Sequence, residues 1–369
     1  MTARFNPPVR NETLPDGLRP RGRGALSNAS GRFEARRREP FDDGWSAQDA
    51  QPPTLKTTLI KDTSRSIIST NDSPDISFDK SINPYRGCEH GCVYCYARPS
   101  HAYWGYSAGL DFESVLFFKP AAAAQLEKAF RKPGYKPEAI MLGANTDPYQ
   151  PVEKRLRITR TLLETCLKFK HPVSVITKSA SILRDVDLLA ELAGLGLAKA
   201  AVSITTLDRK LARAMEPRAA TPERRLDAVH TLSAADVPVT VMMAPIIPGL
   251  TDHEIESLLD RVSQAGAEGA AYVLLRLPLE VRDLFAEWLE AERPAAARRI
   301  MKLIRQTRGG KDYDATFHKR GVGEGPVAVL IAQRFRAALI RYGLDAPRRK
   351  LRCDLFERPL EQGRQMSLF

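Results

Sequence analysis

Three cysteines stand close together in the chain, at Cys88, Cys92 and Cys95. Their Cys-x3-Cys-x2-Cys spacing lets three thiolates converge from one short loop, and Gly87 and Gly91 suit a loop that wraps closely around a bulky inorganic core. On a four-iron cube, three sulfur ligands leave one iron without a protein ligand. A small molecule can chelate that iron and accept an electron from it. The pattern therefore predicts a reactive 4Fe–4S cluster.

A structural zinc site is the alternative for these cysteines, with His90 or His101 as the fourth ligand. Zinc knuckles usually contain paired Cys-x2-Cys units with their own small fold, and the residues around His90 do not show that spacing. Cys166 and Cys353 stand alone. Five cysteines in 369 residues are too few and too clustered for a disulfide scaffold. A reducing compartment would favour metal binding by the grouped three.

The elements that must position this loop follow a repeating pattern from about Ile82 onward. Short β-branched or apolar runs alternate with amphipathic segments whose apolar residues recur every three or four positions, which predicts a parallel α/β fold. Polar, Gly and Pro residues gather directly after the runs, where parallel barrels and open sheets place ligand sites. The predicted strands are 138–143, 172–177, 199–205, 237–244 and 270–276.

The chain divides into four predicted parts. Residues 1–55 are rich in Arg, Pro and Gly and show no lasting period, which predicts a flexible lead-in. Residues 56–279 contain the repeating strand and helix pattern. Residues 280–345 are predicted as a basic helical extension, and residues 346–369 as a basic tail.

The formal net charge of +12 is unevenly distributed. Residues 293–369 contain 18 Lys or Arg and 7 Asp or Glu, which accounts for most of it. Local positive charge of this size attracts polyanions, so nucleic acid is a candidate partner, and a solvated helical surface is the alternative. The chain shows no apolar run of bilayer-spanning length and no signal peptide at its start. We therefore expect a cytoplasmic protein with no membrane association.

Several segments resemble one known family. They are SINPYRGCEHGCVYCYARPSHAYWG, NTDPYQPVE, VITKS, SITTLDRKLARAMEPRAATPERRL and PIIPGLTD. The cysteine spacing, with Tyr94 just before the third cysteine, resembles the radical S-adenosylmethionine (SAM) superfamily. The other segments resemble its group related to spore photoproduct lyase. The likeness covers about residues 56–345.

The resemblance implies a partial (β/α)6 barrel, similar to part of a TIM barrel, with an N-terminal extension and a helical C-terminal extension. It implies a 4Fe–4S cluster and SAM as cofactors, and reductive cleavage of SAM to a 5′-deoxyadenosyl radical. It also implies an electron donor such as flavodoxin or ferredoxin. Because the cofactor performs the difficult step, few side chains need to act as acids or bases.

The resemblance also assigns cofactor contacts by position. The residues concerned follow successive strands, where a turn residue is the ordinary interpretation of any one of them. The assigned residues are Tyr94 near the adenine, Asn145, Thr146 and Asp147 near the amino group, Lys178 and Ser203 near the carboxylate and ribose, and Ile246 to Gly249 along the adenine pocket.

Catalysis and substrate binding are assigned less directly. Tyr94 and Tyr96 flank Cys95 as in the lyase group, where tyrosines assist radical return. No cysteine lies between Cys95 and Cys166, and Ala144 or a near neighbour stands where the lyase has its hydrogen-donating cysteine. The predicted substrate residues are Glu216 and Arg218, which could instead form a local ion pair, and Arg276, whose charge at the barrel mouth would need an anionic partner.

The last five residues, QMSLF, resemble the peptide by which bacterial DNA polymerases and repair proteins bind the sliding clamp. Leu368 and Phe369 would fill an apolar pocket, and Gln365 would anchor the backbone. An inert tail is the alternative, because short motifs recur by chance.

Together these features predict a radical SAM enzyme that acts on nucleic acid, repairing or modifying a base in DNA by a lyase-like reaction. A small-molecule, RNA or protein substrate is the first alternative. A non-catalytic iron–sulfur or DNA-binding module recruited to the clamp is the second.

Overall fold

The computed structural model describes residues 21–34, 55–347 and 349–359. Ten strands lie within these residues. They are β1 (Thr58–Lys61), β2 (Ser69–Thr70), β3 (Lys80–Ile82), β4 (Tyr85–Arg86), β5 (Val115–Phe118), β6 (Ile140–Leu142), β7 (Val173–Thr177), β8 (Ala198–Ser203), β9 (Val239–Ile246) and β10 (Gly269–Leu274).

Eleven α-helices accompany these strands in the described residues. They are α1 (Leu110–Ser114), α2 (Ala122–Phe130), α3 (Glu153–Leu156), α4 (Ile158–Lys168), α5 (Val186–Gly194), α6 (Arg209–Met215), α7 (Pro222–Ala234), α8 (Ile255–Gln264), α9 (Glu280–Glu292), α10 (Pro294–Gln306) and α11 (Gly325–Arg341).

The larger sheet has the strand order β10-β9-β8-β7-β6-β3-β2. Strands β3 and β6 to β10 pair in parallel along this sheet, while β2 pairs antiparallel with β3. Parallel neighbours need long crossover connections, and helices supply them here. Six parallel strands with intervening helices form the predicted partial (β/α)6 barrel. A smaller sheet, β1-β5-β4, contains the strand that leads into the cysteine loop.

The apolar pattern explains how strands and helices pack. Strand β9 alternates buried and half-buried positions along most of its length, as expected for a strand with two different faces. Helix α8 buries Ile255, Leu258, Leu259 and Val262, whose spacing places them on one helical face. These faces meet in the main core of the barrel. All five predicted strands are confirmed, with boundaries moved by a few residues.

Two capped helices, α6 and α7, follow β8. Asp208 accepts hydrogen bonds from two backbone N–H groups in the first turn of α6. Thr221 caps α7, and Pro222 occupies the first helical turn, where it loses no hydrogen bond. The segment between these helices contains Glu216 at the end of α6 and leads into the Thr221 cap of α7.

The C-terminal helices lie outside the repeating pattern, as predicted. Helix α10 packs against α9 and α11, and α11 packs against α8. Helix α10 also contacts the loop after β9, since a Cβ added to Gly249 would lie 2.6 Å from the side chain of Leu303. None of the helices in the described part of the chain is long and apolar enough to cross a membrane.

Candidate cluster and cofactor site

The three predicted cluster cysteines lie in one loop that follows β4. Cys88 and Cys92 are buried, and Cys95 is half-buried. Burial raises the pKa of each thiol, and for Cys88 the neighbouring Asp147 and the other two cysteines add to this effect. Cys95 packs in one apolar cluster with Cys88 and in another with Cys92, so the fold gathers the three cysteines in one place, as ligands of one cluster must be.

Two glycines give this loop its shape. Gly87 and Gly91 have φ values of +75° and +67°, a left-handed backbone that favours glycine. A Cβ on Gly87 would lie 2.8 Å from the backbone oxygen of Phe112. A Cβ on Gly91 would lie 2.6 Å from the carboxylate of Glu113. Both the backbone conformation and the close packing thus require glycine at these positions.

The loop fits a cluster better than a single metal ion. A structural zinc site needs four ligands at about 2.0–2.3 Å from one point. His90 Nδ1 lies 3.3 Å from Asp147, and His101 Nε2 lies 3.0 Å from the backbone oxygen of Val115. Both histidines thus have partners other than the cysteines, which disfavours the zinc alternative.

A buried ion pair supports the loop. Arg98 and Glu113 are both fully buried and pair with each other. The Arg98 guanidinium also donates to the backbone oxygens of Gly91 and Cys92, at 3.2 and 2.9 Å. Two further carbonyl groups, in the turn before α1, accept its remaining hydrogen bonds. A buried charge is stable only with such partners, so the pair fixes the backbone that carries the cysteines.

Residues 21–34, here called the N-terminal strap, pack against this ion pair. The backbone N–H groups of Gly24 and Ala25 donate to the Glu113 carboxylate at 2.9 and 2.8 Å. The Arg23 side chain donates to the backbone oxygens of Glu113 and Leu55. A Cβ added to Gly24 would lie 1.8 Å from the backbone oxygen of Gly91, so the strap touches the cluster loop directly.

The strap corrects one expectation from the sequence. Residues 1–55 were expected to form a flexible lead-in, yet residues 21–34 are in place and Arg23, Ala25 and Asn28 are buried. Their backbone N–H groups donate to a buried carboxylate that is distant in the sequence, so no local sequence pattern predicts this contact. Residues 1–20 and 35–54 lie outside the described residues.

Lys178 stands at the carboxyl end of β7, beside the cysteines. Its Nζ donates to the backbone oxygen of Ala244 at 3.2 Å and lies 5.9 Å from the ring centre of Tyr94. Burial lowers the pKa of Lys178, and the nearby thiols of Cys92 and Cys95 oppose that effect. The amine is thus next to the cluster loop, at the place that the family resemblance assigns to the carboxylate of SAM.

Asp147 joins the cluster loop to the ends of two strands. Its carboxylate pairs with His90 and accepts hydrogen bonds from the Thr177 hydroxyl and the Lys178 N–H, each at 2.6 Å. Burial would raise the pKa of Asp147, but His90 and these hydrogen bonds outweigh it and lower the pKa. The carboxylate thus holds elements together, and its contact with the cofactor's amino group stays a prediction.

Asn145 and Thr146 follow β6 in a tight turn. Both backbone N–H groups donate to Asn83 Oδ1, at 2.8 and 3.3 Å. The Thr146 hydroxyl donates to the backbone oxygen of Tyr85 at 2.7 Å and is buried. Asn145 is exposed. Of the two, Asn145 is the residue positioned to reach a ligand at this strand end.

The remaining predicted cofactor residues lie at the same edge of the sheet. Ser203 ends β8 and Ile246 ends β9, and both are buried. Gly249 has a φ of +77° in the loop after β9. The carboxyl ends of parallel strands meet at one edge, so the fold brings these positions together with Lys178 and Asn145.

Glu216 lies inside the protein, which corrects its prediction as a substrate contact. Its carboxylate pairs with Arg225 and accepts hydrogen bonds from the hydroxyls of Tyr94 and Thr205. Only 2% of Glu216 is exposed. The described geometry therefore makes Glu216 a residue that positions Tyr94 beside the cysteines.

The alternative of a local ion pair is wrong for Arg218, and its contact with a substrate stays a prediction. Arg218 does not pair with Glu216, because its guanidinium lies 3.1 Å from Glu89 in the cluster loop. Its backbone N–H donates to the backbone oxygen of His90 at 3.3 Å. Arg218 thus fastens the turn after α6 to the cluster loop, and the structure gives its charge a protein partner.

Tyr96 is the more open of the two tyrosines beside Cys95. It is 45% exposed, and its hydroxyl donates to the backbone oxygen of Ala144. Ala144 is the position that stands in place of the lyase cysteine. The guanidinium of Arg276 lies 5.2 Å from the ring centre of Tyr96. These residues line the mouth of the barrel next to the cluster loop.

Sequence reasoning missed the charged residues that support the site from within. Arg98, Glu113 and Arg225 are all buried and paired. A signal was present for Glu113, which lies within the largely apolar segment LDFESVLFF and must therefore find a partner if that segment is buried. The predicted clamp-binding residues Gln365, Leu368 and Phe369 lie outside the described part of the chain.

Comparison with known proteins gives a consistent family assignment. A family model described as the radical SAM superfamily matches residues 82–262. An uncharacterized protein of Mycobacterium tuberculosis is 35% identical over 233 residues, covering 63% of this chain and 68% of that protein. An uncharacterized protein of Methanocaldococcus jannaschii is 28% identical over 199 residues, covering 54% of this chain and 71% of that protein.

Solved structures show a similar fold. Spore photoproduct lyase complexed with dinucleoside spore photoproduct has a TM-score of 0.54 and 14% sequence identity, covering 77% of this chain and 79% of that chain. A mutant of that lyase with bound AdoMet and the same dinucleoside gives the same values. At this identity the likeness concerns the fold.

Proposed function

Because the chain belongs to the radical SAM superfamily and uses its 4Fe–4S cluster and SAM, we propose that this radical SAM enzyme acts on nucleic acid, repairing or modifying a base. When bound, these cofactors supply an electron and the 5′-deoxyadenosyl radical that abstracts hydrogen. The chain's own residues hold the cluster loop, orient SAM and bind the substrate. The observation that carries the nucleic-acid proposal is a basic surface beside the barrel mouth.

This surface, called the α10 patch, consists of Arg298, Arg299 and Lys302. All three side chains are exposed. Within the described residues, no carboxylate lies within ion-pair distance of any of them, whereas Arg305 in the next turn pairs with Asp312. Unpaired exposed cations on one helix are suited to bind a phosphate backbone.

The position of α10 links the patch to the site. Leu303 of this helix packs against Gly249, directly after the carboxyl end of β9. Just beyond the helix, Arg308 donates to the backbone oxygen of Leu275 at 2.7 Å, beside the end of β10. A nucleic acid bound along α10 would therefore run past the barrel mouth, where a base could enter after leaving its stack.

The substrate of the lyase does not transfer to this chain with the fold. The chain has no cysteine between Cys95 and Cys166, so another group must return hydrogen to a substrate radical. Tyr96 is suited to this role because it is exposed and its hydroxyl contacts Ala144. Tyr94 is buried and held by Glu216, so we assign it to shaping the cofactor pocket.

Hydrogen abstraction is tested directly with the reconstituted, reduced enzyme. It is incubated with SAM and defined damaged DNAs that carry deuterium at candidate carbons. Deuterium in 5′-deoxyadenosine identifies the substrate and the attacked carbon. Formation of 5′-deoxyadenosine without deuterium transfer from any DNA, but with transfer from RNA, a peptide or a small molecule, would contradict the proposal.

Nucleic-acid binding is tested by replacing Arg298, Arg299 and Lys302 together with Gln. The slope of log affinity against log salt concentration should fall by about 0.9 for each lost phosphate contact on duplex DNA. The control replaces Lys128, Lys132 and Lys136 with Gln. These exposed lysines precede β6, at the opposite end of the barrel. Equal slopes for the two variants would argue against the α10 patch.

Two partners remain proposals that rest on the sequence. A flavodoxin or ferredoxin would supply the electron. The sliding clamp would bind the tail through Gln365, Leu368 and Phe369. Removing Leu368 and Phe369 should abolish clamp binding, as measured by surface plasmon resonance with immobilised clamp, and failure of the intact chain to bind would dispose of this partner.

A further inference from the structure

Arg276 carries a charge for which the protein provides no counterion. It lies just after β10, between Leu275 and Leu277, which are buried in the second core. No carboxylate of the described residues lies within ion-pair distance of its guanidinium. Its Nε is buried without a hydrogen-bond partner, and its Nη2 reaches only the Tyr313 hydroxyl, at 3.4 Å.

Asp312 and Asp314, which flank Tyr313 in the sequence, and Asp75 do not pair with Arg276. Asp75 pairs with Arg320, and Asp312 pairs with Arg305. Asp314 accepts a hydrogen bond from the backbone N–H of Thr316 at 2.9 Å. Arg276 is thus a half-buried cation with no counterion among the described residues, and an anionic ligand would supply one.

Other cations add to the positive potential around Arg276. Arg308 is buried, and burial together with the charge of Arg276 lowers the pKa of its guanidinium. Both Arg276 and Arg320 act electrostatically on the Tyr96 hydroxyl. The Nε of Arg308 also lacks a hydrogen-bond partner. These residues come from the loop after β10 and from the segment between α10 and α11, so the C-terminal extension completes the barrel mouth.

The chemistry of this cluster selects an oxyanion. A guanidinium whose N–H groups have no carboxylate partner can bind two oxygens of one phosphate or carboxylate in a bidentate geometry. Tyr96 is half exposed and contacts the guanidinium. Because Tyr96 follows Cys95 in the sequence, an anion bound to Arg276 would lie close to the cluster. The Tyr96 ring also offers a surface on which a base can stack.

We infer that Arg276, with Tyr96 and Tyr313, forms a subsite for a phosphodiester of the substrate strand, next to the base that enters the barrel. This inference rests on the proposed function, since it names the group of the nucleic acid that the mouth binds. The same guanidinium chemistry would also fit the carboxylate of SAM, so the experiment separates these two sources.

The test compares the cluster-loaded wild type with Arg276→Gln and Arg276→Lys. The probe is a short, labelled single-stranded oligothymidylate, with affinity measured by fluorescence anisotropy over a range of salt concentrations. SAM affinity is measured on the same samples by equilibrium dialysis. Arg224→Gln is the matched control, because Arg224 is an exposed cation on α7.

Arg276→Gln should weaken oligonucleotide binding about tenfold, the loss expected for one charge-assisted contact. It should lower the salt slope by about 0.7, the value for one phosphate of a single strand. Arg276→Lys should retain the slope and lose part of the affinity, because a lysine keeps the charge without the bidentate geometry. Arg224→Gln should match wild type, and all variants should bind SAM equally.

Three results would overturn the inference. Equal oligonucleotide binding by wild type and Arg276→Gln would remove the subsite while leaving the proposed function intact. Loss of SAM affinity with unchanged oligonucleotide binding would assign Arg276 to the cofactor carboxylate. Absence of any oligonucleotide binding by wild type would defeat the proposed function and this subsite with it. If Arg276→Gln does not fold, as judged by circular dichroism, the affinity and slope of Arg276→Lys decide the question.

Discussion

The buried residues that support the cluster loop and the residues at the barrel mouth differ in how their charges are neutralised. Below the cluster loop, Arg98 and Glu113 are fully buried and pair with each other. Arg98 also donates hydrogen bonds to carbonyl groups of the loop, and Glu113 accepts hydrogen bonds from the N-terminal strap. At the mouth, Arg276 has no carboxylate partner in the described residues and Tyr96 is half exposed. Both regions contact the same short loop of cysteines.

This difference distinguishes charges that stabilise the fold from charges that are available to bind a ligand. A charge satisfied within the fold serves to hold backbone in place, and its loss should appear in stability. A charge left without a counterion is available for a ligand, and its loss should appear in binding. The four predictions below test this division, from the largest expected effect on stability to the smallest.

Glu113→Gln should have the largest effect, because it leaves Arg98 buried without a counterion. We expect a loss of about 3–5 kcal/mol in the free energy of unfolding, measured with denaturant on the cluster-loaded protein. Asp283→Asn removes one partner of an exposed ion pair with Arg282 and should leave the unfolding midpoint unchanged. A loss below about 1 kcal/mol for Glu113→Gln would show that this buried pair contributes no more stability than an exposed one, which would contradict its role in stabilising the fold.

The second prediction concerns acid. Burial lowers the pKa of His101 to about 4, below its usual value of about 6.5. Protonation therefore favours the unfolded chain, and stability is complete above about pH 6.5 and falls toward pH 4, by roughly 3 kcal/mol in all. The dependence of unfolding free energy on pH should be shallower in His101→Gln across this window. His253→Gln, at an exposed position, is the control, and identical curves for His101→Gln and wild type would refute the assignment.

Gly24→Ala should displace the strap, because its Cβ would meet the backbone oxygen of Gly91. Overpacking of this kind costs about 1–3 kcal/mol. Since the clash involves the cluster loop, iron retained per chain after gel filtration should fall as well. Gly194→Ala, at a helical glycine with open space around it, should retain iron like wild type. Equal iron contents for both variants would show that the strap does not support the cluster loop.

Tyr96→Phe should have the smallest effect on stability. It removes one hydrogen bond from a half-exposed side chain, so we expect a loss of at most about 1 kcal/mol. If Tyr96 returns hydrogen to the substrate, product per 5′-deoxyadenosine formed should nevertheless fall severalfold in single-turnover assays. An unchanged ratio would leave Tyr96 as a binding residue alone.

The fold and the cofactors were predictable because their signals are local. The spacing of Cys88, Cys92 and Cys95 lies within one loop, and the five predicted strands follow from short apolar runs. Glu216 and Arg218 were harder, because their neighbours in sequence suggest a local pair. The structure instead pairs them with Arg225 and Glu89.

The sequence by itself thus determined the cysteine loop, the order of strands and helices and the excess of positive charge near the C-terminus. Only the tertiary structure decided which charges are satisfied: Glu113 with Arg98 and the strap, and Arg276 with no carboxylate among the described residues. The physical reason is that a buried charge can find its partner anywhere in the chain. Whether it acts as support or as a binding group depends on the distances that folding creates.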